Sequence, residues 1–176
     1  MRLLRHLRTQ LNLVTTGTST EASSSSRSSV EKIVHLPVLA KEIIQALEPR
    51  DGQCFIDCTF GGGGHTKHLL ASHKKITVFA LDRDPSAFQR AIVLARDVAS
   101  KQNGQRVIPL LGRFSELATL MEQLRVKHHC IDGAIMDLGA SSFQFEEGAR
   151  GFSVRHNGPL DMRMDGNRFP KMPTAA

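Results

Sequence analysis

The chain has 176 residues, 40% hydrophobic and 23% charged, which is ordinary globular composition and enough for one domain. No apolar run reaches the ~18 residues that a helical membrane span requires, so an integral helical membrane protein is excluded and no membrane partner is expected. Formal charge is +6, and Arg2, Arg5, Arg8 and Arg27 against Glu21 put +3 of it in the first thirty residues, leaving a remainder too weakly basic to argue by itself for a nucleic-acid partner.

Residues 1–30 read as a disordered mitochondrial transit peptide. Leu3, Leu4, Leu7 and Leu11 alternate with Arg2, Arg5 and Arg8, no acid precedes Glu21, and serines fill the stretch before Val30. The localisation expected is the mitochondrial matrix. From 31 to 142 strands and helices alternate. His35 to Glu48 is expected to be a helix, with Pro37 in its first turn, Leu39, Ile43, Ala46 and Leu47 on a 3.6-residue period, and Pro49 as its stop. Gln53 to Cys58 is a short apolar strand followed by Gly61-Gly62-Gly63-Gly64, and His65 to Ser72 is the next helix.

Ile76 to Leu81, closed by Asp82, is the second strand. Pro85 to Ser100 is the best helix in the chain, with an apolar stripe of Ala87, Ala91, Leu94, Ala95 and Val98 and with Asp84 as cap. Arg106 to Leu111 is a third strand, and Pro109 inside it marks an edge strand because proline lacks a ladder donor. Ser115 to Leu124 is a helix expected to be capped by Ser115. Ile131 to Leu138 is a fourth strand, apolar enough to be covered on both faces. Such alternation means βαβ units, a parallel sheet and right-handed crossovers. Beyond Gly139 the glycines, prolines and phenylalanines read as a long loop, and residues 143–176 are expected to face a substrate.

Cys54, Cys58 and Cys130 match no zinc spacing and are read as reduced core residues, with a reducing compartment as the default. His128 and His129 are read as surface residues and no metal site is expected.

Four consecutive glycines between a strand and a helix let the backbone turn sharply and approach a ligand, with helix N–H groups facing it. Asp82, ending the second strand, is where this topology accepts hydrogen bonds from the ribose hydroxyls of a nucleoside cofactor. Two cofactors fit, a nicotinamide dinucleotide and S-adenosylmethionine. The dinucleotide fingerprint misses at its third position, where Thr66 stands. Asp137, ending the fourth strand, is placed to face the same crevice, with Ser141 and Ser142 after it.

Several segments together resemble a known family. They are His35-Leu36-Pro37-Val38-Leu39, Asp57-Cys58-Thr59-Phe60 with the glycine turn and His65-Thr66, Leu81-Asp82-Arg83-Asp84-Pro85, Arg113-Phe114-Ser115, Met136-Asp137-Leu138-Gly139-Ala140-Ser141-Ser142, Arg150-Gly151-Phe152-Ser153, and Gly158-Pro159-Leu160-Asp161-Met162-Arg163-Met164-Asp165. In this order they resemble the small-subunit ribosomal RNA cytosine-N4 methyltransferases of the MraW or RsmH type. The resemblance implies a class I, Rossmann-like S-adenosyl-L-methionine-dependent methyltransferase acting on small-subunit ribosomal RNA or the assembling small subunit. It implies cofactor contacts at Gly63, Gly64, His65, Asp82, Phe114, Asp137 and Gln144; Phe114 and Gln144 come from the resemblance alone. Phe143 and Phe145 stand where the family has proline and leucine.

The family continues through a helical substrate domain to the last of seven strands, whereas four are expected here. The expectation is therefore a cofactor half over 31–142, an exposed apolar edge at strand four, and little or no methyltransferase activity in this chain alone. Asp137, Ser141 and Ser142 are the candidates for accepting the proton of a cytosine amine. Arg150, Arg155, Arg163 and Arg168, with Phe152 and Phe169 between them, could meet phosphate and stack on bases, or could instead pair with Glu146, Glu147, Asp161 and Asp165. The rival readings are a nicotinamide oxidoreductase and a non-catalytic cofactor-binding remnant or ribosome-assembly factor.

Overall fold

The computed structural model describes residues 37–176; the leader, and the His35-Leu36 start of the first motif and helix, lie outside the described residues. The elements run α1 (Ala40–Leu47), β1 (Cys54–Asp57), α2 (Gly64–Ser72), β2 (Thr77–Asp82), α3 (Pro85–Ser100), β3 (Arg106–Leu111), α4 (Leu117–Gln123), β4 (Gly133–Ile135) and α5 (Ser142–Glu146), with 3-10 turns at Phe114–Glu116, Gly148–Arg150 and Gly166–Arg168. The strands form one parallel sheet in the order β3-β2-β1-β4. Helices cover it, and the protein is α/β with the class I, Rossmann-like arrangement that the alternation predicts.

The strands are buried because both faces are packed. Phe55, Leu69, Ile76, Val78, Ala80, Ala91 and Val98 form the core on one face, and Ile56, Phe79, Leu81, Ile108, Leu110 and Leu120 form it on the other. Alternate residues of β1 and β2 therefore point into different clusters, as period two requires. β3 is an edge strand, as Pro109 predicts. Arg106 N–H and Gly112 N–H bond to the carbonyls of Ile76, just before β2, and Asp82 at its end, so the even-numbered amides face β2 and the nitrogen of the buried Pro109, on the opposite parity, points away from it.

Five expectations need correction, the cysteines among them. The first helix begins at Ala40 rather than around Pro37, because Leu39 sits at φ 53°, a left-handed conformation that cannot continue a right-handed helix. Ser115 does not cap α4. It lies inside a 3-10 turn whose entry is fixed by the Arg113 N–H donating to the Glu116 carboxylate at 2.7 Å. β4 is three residues long, not eight: it pairs only with Phe55–Asp57 of β1, and at Asp137 the amide leaves the ladder and donates to Thr59 Oγ1 at 2.8 Å. Only Ile135 of β4 is buried, while Met136 and Leu138 are exposed. The segment after Gly139 is not a plain loop but contains α5, whose Ser141 Oγ accepts the Gln144 N–H while the Gln144 side chain returns to the Ser141 N–H, two orphan donors satisfied reciprocally.

Of the three cysteines, all free, only Cys58 is a buried core residue; Cys54 and Cys130 are half-buried. His128 and His129 are exposed.

Candidate functional site

The chain passes from β1 outward through β2 to β3 and then returns to the other side of β1 as β4, so the strand order reverses beside β1. In open parallel sheets ligands bind outside the carboxyl ends of the strands at that reversal. A cavity of about 1050 Å³ lies there. Its walls come from all four strand ends and from α5: the glycine turn after β1, Asp82 to Asp84 after β2, Gly112 to Ser115 after β3, Asp137 to Ser142 after β4, then Gln144 and Met164.

The glycine turn has its shape for two reasons. Gly63 is at φ +75° as the cap of α2, and a Cβ there would meet the buried Phe60 ring at 2.6 Å. At Gly62 a Cβ would meet Phe143 at 2.8 Å, so the ring that departs from the family pattern packs directly on the turn. Arg90 also holds that ring, its guanidinium 4.0 Å from the Phe143 centroid while its Nε–H donates to the Gly61 carbonyl.

Asp82 is the hub between turn and strand. One carboxylate oxygen accepts the Gly61 N–H at 2.8 Å and the other accepts the Asp84 N–H at 2.9 Å. Burial pushes its carboxyl up, against the pull of those two amides. Asp84, as predicted, caps α3 through the Ser86 N–H with Pro85 next, which leaves Asp82 to the crevice. Asp84 does more than cap. Gln144 Nε2 and Arg150 Nη1 both donate to its second oxygen at 2.8 Å, tying the segment after β4 onto α3. Burial would raise the Asp84 carboxyl, but the Ser86, Gln144 and Arg150 hydrogen bonds outweigh it and hold it below the usual carboxylate range.

Asp137 reaches the crevice half-exposed, with His65 Nε2 3.4 Å from its Oδ2. His65 itself is 6% exposed. Asp57, beneath the turn, accepts the Thr59 N–H and the Thr66 hydroxyl and is raised by burial. Phe114 is 49% exposed and lines the cavity at the end of β3.

The crevice thus brings together Gly64, His65, Asp82, Phe114, Asp137, Ser141, Ser142 and Gln144, with Gly63 supporting the turn from behind. Ser141 is occupied as the α5 cap, and Gln144 is buried against Asp84. The arginines of the last segment lie elsewhere. Arg163 is paired with Asp161 at 2.6 Å, and those hydrogen bonds lower the Asp161 carboxyl to about 2. Arg150 lies on Asp84 and Arg168 on Glu116 and Asp165. Arg155 is exposed.

Sequence reasoning offered Asp165 as a partner for the last-segment arginines, and Arg168 bears this out, but it missed that Asp165 is fully buried and that Arg83 and Arg113 converge on it. Arg83 donates to it through two guanidinium nitrogens, Arg113 through two more at 3.1 and 3.2 Å, and Arg168 stands 3.6 Å away. Burial raises the Asp165 carboxyl, but the Arg83 and Arg113 hydrogen bonds hold it below the ordinary range. Arg113 and Arg168 also lie over the Phe169 ring. The partners are 52 and 82 residues apart in the chain, a separation that carries no local signal.

A nucleoside-sulfonium cofactor fits these residues. The turn brings the Gly61, Gly62 and Gly64 backbone to the cavity wall, Asp82 offers a carboxylate for hydroxyls, Phe114 an apolar face, and His65 two buried ring nitrogens without hydrogen-bond partners among the described residues.

Comparison with known proteins gives a consistent picture. The MraW methylase family profile matches residues 32–175. The chain is 47% identical over 143 residues to the 12S rRNA N(4)-cytidine methyltransferase METTL15 of Pongo abelii, covering 81% of this chain and 34% of that protein. It is 46% identical over 133 residues to the ribosomal RNA small subunit methyltransferase H of Hyphomonas neptunium, covering 76% of this chain and 36% of that protein. It is also 50% identical over 148 residues to a Culex quinquefasciatus protein named putative receptor-type tyrosine-protein phosphatase mosPTP-1, but the match is 84% of this chain and 10% of that protein, so nine-tenths of the latter has no counterpart here. The chain spans about a third of the length of the methyltransferases it matches.

Proposed function

The chain belongs to the MraW methylase family, and on that premise we propose that its crevice binds S-adenosyl-L-methionine and serves N4-methylation of a cytidine in small-subunit ribosomal RNA. The observation that carries this reading is the convergence of the glycine turn, Asp82 and Asp137 on one cavity where the strand order reverses. When bound, the cofactor supplies a methyl carbon made electrophilic by its sulfonium. The chain's own residues bind and orient. Asp82 accepts hydrogen bonds from ribose hydroxyls, Phe114 offers an apolar face to the base, and the Gly63-Gly64-His65 turn brings backbone close to the ligand. Gln144 closes the site from its anchorage on Asp84.

A cytosine amine is a poor nucleophile because its lone pair is delocalised into the ring, so an acceptor for its proton assists the displacement. Asp137 fills that role: its carboxylate is exposed to the cavity and is the one charged acceptor of the three candidates, whereas Ser141 Oγ is engaged as a helix cap and the Ser142 hydroxyl is a weak base. Residues 31–142 act as the cofactor half and 143–176 as the substrate-facing segment. Of the four arginines weighed for RNA, Arg155 is assigned to phosphate contact, since Arg150, Arg163 and Arg168 hold internal carboxylates. The arginine and leucine leader supports a mitochondrial location, in the matrix, with small-subunit RNA or the assembling subunit as partner. Transfer of labelled methyl from S-adenosylmethionine to small-subunit RNA, recovered as N4-methylcytidine on nucleoside digestion, is the expected result; label recovered on another base contradicts the reading.

A further inference from the structure

Asp137 is fixed at its backbone and much less so at its carboxylate. Its amide donates to Thr59 Oγ1 at 2.8 Å, and the Thr59 amide donates in turn to Asp57 Oδ1, which roots the end of β4 in the end of β1. The carboxylate has one potential cationic or N–H neighbour among the described residues, His65 Nε2 at 3.4 Å. That is ion-pair distance without hydrogen-bond alignment, since both ring nitrogens of His65 are buried and neither has a hydrogen-bond partner among the described residues. An imidazole 6% exposed, at the second residue of α2 and on the wall of the cavity, carries a desolvation cost that no contact of the free crevice offsets. Active-site hydrogen bonds are often long and poorly aligned in the ligand-free state and tighten once the site fills.

We propose that His65 is the positioning residue for Asp137, its Nε2–H closing onto Oδ2 so that the carboxylate is held to take the proton of the attacking amine. This rests on the methyl-transfer reading. As the amine nitrogen forms its bond to the methyl carbon, the carbon–sulfur bond breaks and its electron pair returns to sulfur. The surplus proton on nitrogen passes to the Asp137 carboxylate and from there to water. The imidazole gives up no proton in the cycle; it orients. A glutamine can therefore stand in for it, because its Nε2 amide reaches as far from the backbone as the imidazole Nε2, whereas the asparagine amide reaches only to the place of Nδ1.

Two measurements test this, the first on the 176-residue chain and the second on the chain joined to the remaining two-thirds that its methyltransferase relatives have. The first needs no cofactor: imidazole nitrogen spectra of wild type and of Asp137→Leu, a substitution at a half-exposed side chain. The His65 Nε2 signal should be of the protonated type in wild type and should move in the variant; an unmoved signal overturns the pairing. The second is methyl transfer by His65→Gln, His65→Asn and His65→Leu, each checked for a cooperative melt. His65→Asn and His65→Leu should lose about 100-fold in kcat, the cost of a ~1 Å misplacement, and His65→Gln should recover most of that loss, with KM for S-adenosylmethionine read alongside to separate a loss of cofactor binding at the turn. Wild-type kcat in His65→Asn or His65→Leu overturns the positioning role, and loss in His65→Gln equal to that in His65→Leu overturns it in favour of a proton-relaying imidazole. A chain that does not bind S-adenosylmethionine removes the methyl-transfer reading and the proton-acceptor role with it, and the spectra still decide the His65–Asp137 pairing.

Discussion

Replacing Asp165 with alanine removes the single carboxylate on which Arg83, Arg113 and Arg168 converge. Breaking a buried ion pair by deleting one partner costs about 3–5 kcal/mol, because the charge left behind has lost its compensation. Here the Arg83 and Arg113 side chains are 38% and 33% exposed, so water takes over part of what Asp165 supplied, and Arg168 keeps Glu116 at 3.4 Å. The expected loss is therefore about 2–3 kcal/mol, at and below the lower end of that range. Asp165→Asn, which keeps an acceptor oxygen without the charge, should lose about half as much.

Urea unfolding followed by circular dichroism reads both variants. The pH dependence has a fixed sign. Asp165 has its carboxyl held below the ordinary value of about 3.9, so its contribution is complete above that value and disappears as pH falls through the lower, folded-state value. The gap between wild type and Asp165→Asn should accordingly close in acid. A midpoint in Asp165→Ala within about 0.5 kcal/mol of wild type, the range of an ordinary surface substitution, would refute the view that this carboxylate straps the last segment to the ends of β2 and β3.

Asp82→Ala should weaken S-adenosylmethionine binding by about 1.5–3 kcal/mol, the range for a hydrogen bond to a charged group, as read by calorimetry; unchanged affinity contradicts the ribose assignment. Gly63→Ala should cost at least about 1–2 kcal/mol in thermal or urea stability from the left-handed backbone alone, before the approach to Phe60 is counted. Gly62→Ala should cost less because the half-exposed Phe143 ring can swing, and equal losses in the two variants would mean that Phe143 is as rigidly held as Phe60. Changing Arg2, Arg5 and Arg8 to glutamate should leave a tagged protein in the cytosol, and retained mitochondrial import would refute the leader reading.

Much of this arrangement was legible in the sequence where the signal is local. α3 begins and ends where Asp84-Pro85 and its apolar stripe put it, β3 coincides with the run containing Pro109, and Pro109 marks it as an edge. Asp82, the glycine turn and Asp137 meet because the topology of a parallel sheet places successive strand ends together, which spacing alone foretells. What stayed hidden depends on contacts distant in the chain. β4 looks eight residues long by composition, but its length is set by where Thr59 diverts the Asp137 amide from the ladder. α5 is encoded in a capping box, Ser141 with Gln144, that a search for apolar periodicity passes over. The Arg83–Asp165 and Arg113–Asp165 pairs and the Arg90–Phe143 stack join residues tens of positions apart, and no local pattern in the sequence links them.

The central claim, that the crevice at the ends of β1 and β4 is a site for S-adenosyl-L-methionine, is tested most directly by isothermal titration of the chain with that cofactor and, in parallel, with a nicotinamide dinucleotide. One-to-one binding of S-adenosylmethionine with no heat from the dinucleotide is the result predicted from the Asp82 carboxylate, the Gly63 turn and the missing third glycine position at Thr66. Binding of the dinucleotide with no binding of S-adenosylmethionine would contradict it.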